Sequence, residues 1–101
     1  MSRRERVQQN LAALEVMEEA FKKREAFALE WIPKMQAAIQ QVETIKVNIP
    51  QIAQFADVGI AQARANLEQL KDALKDARLA RKQTALGKRI ALSFLVNRGA
   101  E

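Results

Sequence analysis

The chain has no cysteine and no histidine. Composition alone therefore excludes a disulfide framework, a thiol nucleophile, a Cys/His zinc centre and a histidine general base. Tyrosine is also missing, and the aromatics are one tryptophan and four phenylalanines. They fall mostly at buried-face spacing, as core or interface anchors rather than a base-stacking platform set among basic residues. Three glycines and two prolines are too few turn residues for a β-rich fold. The longest apolar run, residues 90–96 with Ser93 inside it, falls far short of the roughly 20 residues that cross a bilayer. There is no Gly-rich phosphate loop and no nucleophile elbow. Glu15, Glu18 and Glu19 cluster with no histidine to complete a di-iron site. No metal, cofactor or small-molecule substrate is implied, and the chain reads as a non-enzymatic protein. The opening residues, MSRRERVQQN, are basic and then polar rather than signal-like; a cytoplasmic location is expected.

What is present favours helix. Of 101 residues, eighteen are alanine, and Leu, Glu, Gln, Lys and Arg supply much of the rest. These side chains lose little freedom in a helix. The length suits one domain, spanning residues 1–101. The net charge of +5 is unevenly placed. Residues 77–101 hold Arg78, Arg81, Lys82, Lys88, Arg89 and Arg98 against one acid, while the first 76 residues balance. A localised basic segment suits an acidic partner, nucleic acid included.

Ser2-Arg3-Arg4-Glu5 has the form of a capping box, which starts a helix almost at the first residue. Apolar residues then recur every seven: Val7, Leu14, Phe21, Ala28, Met35, Val42 and Ile49. The companion row reads Asn10, Met17, Arg24, Trp31, Ala38, Ile45 and Ile52, with Leu11, Ile32 and Ile39 as a third apolar position. Such a wide stripe favours a helical hairpin or bundle. Glu18–Lys22, Glu19–Lys23 and Glu30–Lys34 stand in the favourable i,i+4 order. Pro33 removes a backbone donor and predicts a kink or a tight junction. Asn48-Ile49-Pro50 predicts a firmer break, and Asp57-Val58-Gly59 a turn. Beyond it Ile60, Ala63, Leu67, Leu70, Leu74 and Ala77 keep heptad spacing. At Arg81 and Lys88 that seam turns basic, and a shifted stripe of Leu79, Leu86, Ile90 and Phe94 takes over. The shift predicts a rotated face or a break between Thr84 and Gly87. Asn97-Arg98-Gly99 reads as a helix stop. The expected fold is all-α: a long antiparallel helical hairpin or small bundle with coiled-coil-like heptads, kinked near Pro33 and Gly87. Its arms are residues 2–48 and 60–97, and its connector is residues 49–59.

Residues 52–64, Ile52-Ala53-Gln54-Phe55-Ala56-Asp57-Val58-Gly59 followed by Ile60-Ala61-Gln62-Ala63-Arg64, resemble a bacterial helix-turn-helix. The motif covers about residues 49–67, with Asp57, Ala63 and Asn66 departing from its usual pattern. The resemblance implies that Gln62 and Arg64 read bases in the major groove. The basic-then-apolar order of Arg81-Lys82, Lys88-Arg89 and residues 90–96 looks like that of short mobilisation accessory proteins of conjugative relaxosomes. Arg3, Arg4 and Arg6 put positive charge at the positive end of the first helix, where an anionic group would relieve it.

Two functions follow as expectations. In the first, a helical assembly or adaptor protein binds itself or partner helices through Leu14, Met17, Phe21, Trp31, Met35, Val42, Ile45, Leu67, Leu70 and Leu74. Its contacts to an acidic partner or nucleic acid would come from Gln62, Arg64, Arg78, Arg81, Lys82, Lys88 and Arg89. In the second, the chain is a DNA-binding regulator or accessory protein of phage or plasmid type.

Overall fold

The first helix begins where the capping box places it. In the computed structural model, which describes residues 2–97, Ser2 Oγ accepts from the Glu5 backbone N–H at 3.1 Å. The Ser2 carbonyl accepts from Arg6 N, also at 3.1 Å. Helix α1 then runs over Arg3–Asn48. Ile49 leaves helical geometry with φ −130° and ψ 80°, and Pro50 opens a single 3-10 turn, Pro50–Ile52. That turn passes directly into α2, Ala53–Asn97. The chain is an all-α helical hairpin of two helices, with no strand among the described residues.

Pro33 lies inside α1 without ending it. Pro33 is exposed, so the hydrogen bond it cannot donate to the Leu29 carbonyl is lost on the outer side of the helix. Packing on the opposite side holds the helix together there. Ile32 and Met35 lie against the core cluster of Ile39, Ile60 and Leu67, with Val42 and Ala63.

The turn expected at Asp57-Val58-Gly59 does not form. These residues are helical, so the connector is residues 49–52 rather than 49–59, and the second arm begins at Ala53. Pro50 has already reversed the chain, and Ala56 and Ile60 are both buried on the inner face. A helix continuous through Asp57–Gly59 keeps both there. The helix-turn-helix pattern loses its turn by the same fact. The stop read at Arg98 and Gly99 lies outside the described residues.

Burial shows which heptad rows face inward. Along α1 as far as Val42 the covered residues are Arg4, Val7, Leu11, Leu14, Glu18, Phe21, Glu25, Ala28, Ile32, Met35, Ile39 and Val42, at alternating steps of three and four. The row Val7 to Val42 is thus inside as expected, but its companion is the row through Leu11, Ile32 and Ile39. Met17, Trp31 and Ile45 are exposed. Along α2 the seam continues from Ile60 and Leu67 through Ala77, Arg81, Thr84, Lys88 and Ala91 without changing register. The expected switch to Leu79, Leu86, Ile90 and Phe94 does not occur: the first three are exposed, and only Phe94 is partly covered.

The helices form two compact units, one of Met1–Glu25 with Asp76–Glu101, the other of Ala26–Lys75. Within the first, Gly87 is seamed against Leu14, whose Cδ1 would stand 3.3 Å from an added Cβ. Thr84, buried, returns its hydroxyl to its own helix, donating to the Ala80 carbonyl at 2.7 Å with the Arg81 carbonyl at 3.1 Å. No break is needed between them, because each fits the seam by being small or self-satisfied.

Candidate interaction surfaces

In the unit of Met1–Glu25 with Asp76–Glu101, the seam carries charge on both helices. Glu25 pairs with Arg81 and, at 3.6 Å, with Arg78. Glu18 pairs with Lys88 at 3.3 Å and with Lys22 at 3.2 Å. Lys22 also reaches Glu19 at 3.8 Å, in place of the expected Glu19–Lys23 pair. The hydrogen bond from Lys22, then that from Lys88, holds the Glu18 carboxyl below its ordinary value of 4.5, against an opposing effect of burial. The bond from Arg81 does the same for Glu25, again with burial opposing. Arg81 and Lys88 can stay on a half-buried seam because each meets an acid there.

Two of the three N-terminal arginines are accommodated by the same antiparallel pairing. Arg4 donates from Nη1 to the Leu95 carbonyl at 3.4 Å, and the Arg3 guanidinium lies 5.9 Å from the centre of the Phe94 ring. The last carbonyls of α2 carry the negative end of its dipole, so α1 brings its cations to a helix end that favours them.

Of the residues read as contacts to an acidic partner, several are already engaged. Arg78, Arg81 and Lys88 serve the seam; Arg64 pairs with Glu43; Gln62 donates to Asn66 Oδ1 at 3.2 Å. Lys82 and Arg89 are exposed and make no ion pair with a described residue. Beside them on α2 stand the exposed Leu79, Leu86 and Ile90.

The unit Ala26–Lys75 has two unlike edges. On one, Arg64 pairs with Glu43 and Lys46 with Asp57. The other is apolar. There Ala38, Ile39 and Val42 of α1 face Ala56, Gly59, Ile60 and Ala63 of α2 across a groove of about 220 Å³, with Phe55 at its lip. Phe55 is 81 % exposed. One heptad to either side of Ala38 along α1 the same row brings Trp31 and Ile45, both exposed. Phe27 lies against Trp31 with ring centres 6.0 Å apart, and Lys34 Nζ stands 4.8 Å from the Trp31 ring centre, paired with Glu30 at 3.0 Å. Nothing within 4 Å would meet a Cβ added at Gly59.

The expected interface residues thus divide. Leu14, Phe21, Met35, Val42, Leu67, Leu70 and Leu74 are covered within the seam, whereas Met17, Trp31 and Ile45 face outward. Sequence reasoning missed Phe55 and Gly59 as a surface feature, because a turn assigned to residues 57–59 removed them from any helix face. It missed Glu18 and Glu25 as seam residues because the row through Leu11, Ile32 and Ile39 was traced from its apolar members alone. Their spacing of seven, matched by Arg81 and Lys88, was the signal.

Among the described residues no group of three or more metal-ligating side chains occurs, and no helix is long and apolar enough to cross a membrane. The chain matches no family model, no curated protein and no solved structure among those compared.

Proposed function

We propose that the chain is a helical assembly protein, whose outward apolar rows pack against copies of itself. One observation carries this reading. After the seam has closed, large apolar side chains remain exposed in rows: Phe27, Trp31, Ile45 and Phe55 in one unit, Leu79, Leu86 and Ile90 in the other. No large side chain among the described residues is fully buried, as expected where two helices alone enclose a seam. Contiguous apolar surface of this kind marks interaction sites. The basic segment supplies the second contact. Lys82 and Arg89, exposed beside that second row, engage an acidic partner, for which the excess of positive charge beyond residue 77 is suited.

Sedimentation equilibrium over a wide range of protein concentration tests the reading. Reversible growth to a defined multiple of 11.4 kDa is expected, and monomer mass at every concentration refutes it. The same runs with duplex DNA at low and moderate salt separate the rival. A steeply salt-dependent gain of DNA mass that discriminates between sequences would replace assembly by DNA recognition.

A further inference from the structure

We propose that the apolar edge of the Ala26–Lys75 unit is the seat of a second copy of this chain, the Phe55 ring of each copy entering the groove beside Gly59 of the other. The proposal rests on the assembly reading and specifies its contact.

A two-fold interface must be self-complementary, so one patch has to carry both the projection and the recess. This edge does. Phe55 projects with 81 % of its surface exposed, directly at the lip of the groove. The groove is lined by the buried Ile39, Ala56 and Ile60 and, toward solvent, by the small residues Ala38 and Gly59.

Gly59 itself points outward from the fold. Glycine disfavours a helix interior, and α2 holds one there. At Gly87 the fold explains it, since Leu14 occupies the space. At Gly59 nothing of the chain comes within 4 Å of where a Cβ would stand. The space is open to a group from another molecule.

Charge selects the occupant. The stretch Ala26–Lys75 has five basic and five acidic residues, and the two ion pairs that join its helices, Arg64–Glu43 and Lys46–Asp57, involve none of the residues that line the groove. Two such faces meet without repulsion and offer no grip to a strongly charged partner. The other unit holds the whole net charge of +5 and would repel its copy. The area is also of the right order. Aromatic side chains present about 150–250 Å² each. At exposures of 81, 56 and 42 %, Phe55, Phe27 and Trp31 leave open roughly half of the ~800 Å² per partner that a standard interface buries. Ile45 and the groove walls add to it.

The test uses the full chain and its only tryptophan, Trp31, as reporter. Wild type, Phe55→Glu, Gly59→Gln and Leu86→Glu are compared by sedimentation equilibrium and by Trp31 emission against concentration. Both groove variants keep the helical circular dichroism, because Phe55 is exposed and a side chain at position 59 meets open space. The wild type is expected to dimerise with a blue shift of emission. Phe55→Glu and Gly59→Gln should each weaken dimerisation by about tenfold or more, and Leu86→Glu should leave it unchanged. An association that survives both groove variants but fails in Leu86→Glu overturns this contact while leaving assembly standing. A wild type that stays monomeric with constant emission overturns both.

Discussion

Replacing Ile39 and Ile45 separately by alanine tests which heptad row is inside. The two residues lie six apart on one helix, so any change in intrinsic helix propensity is the same for both and cancels in the comparison. Ile39 is 8 % exposed and packs with Ile60 and Leu67, whereas Ile45 is 46 % exposed. A buried Ile→Ala change costs about 2–5 kcal/mol, transfer and cavity together. Here the seam is only two helices wide, so neighbours can relax and the lower half of that range, about 2–3 kcal/mol, is expected for Ile39→Ala. At Ile45 the remaining contact is partial and solvent already reaches the site, so less than about 1 kcal/mol is expected. Urea denaturation followed by circular dichroism would read the difference as a shift in midpoint at unchanged slope. The runs are made at several protein concentrations, because association stabilises only the folded form. A loss at Ile45→Ala that grows with concentration belongs to an interface between copies. A loss at Ile45→Ala equal to that at Ile39→Ala in dilute protein refutes the burial register.

Four other outcomes are expected. Glu18 and Glu25 have lowered carboxyl pKa values in the folded chain, so the unfolded chain binds more protons; stability from these groups is present above about 4.5 and is lost as pH falls through the folded values. The double variant Glu18→Gln with Glu25→Gln should flatten thermal melting against pH in that acid range. Arg81→Ala should lower the melting temperature by leaving a half-buried Glu25 with Arg78 alone, and adding Glu25→Leu should recover it, since an apolar seam replaces an ion pair without its desolvation cost. Gly59→Ala should stabilise dilute protein by about 0.5–1 kcal/mol in urea. Gly87→Ala should gain less than that in the same titration, because Leu14 Cδ1 must give way from 3.3 Å.

Much of the helical pattern was legible along the chain. The start at Ser2, the reversal at Pro50 and one inward row, Val7 to Val42, follow from capping geometry, a missing donor and a seven-residue period. The second inward row was not. A helix of apolar period seven offers two companions to any row, one three residues ahead and one four, and here Met17, Trp31 and Ile45 are more conspicuously apolar than the row that is covered. That row includes Glu18 and Glu25, which look like surface residues until their partners are known. Arg81 and Lys88 look likewise like an end to the seam.

Local chemistry therefore determined that this chain forms two helices and where it turns back, because capping, proline geometry and periodicity act within a few residues. Which side of each helix closes against the other was decided only by the tertiary structure. Opposite charges on two separate helices have to meet before burying them is tolerable, and that meeting depends on residues some sixty positions apart. The same pairing settled that Arg78, Arg81 and Lys88 are partly spent inside the molecule, and it left the ring of Phe55 and the bare backbone of Gly59 side by side on an open edge.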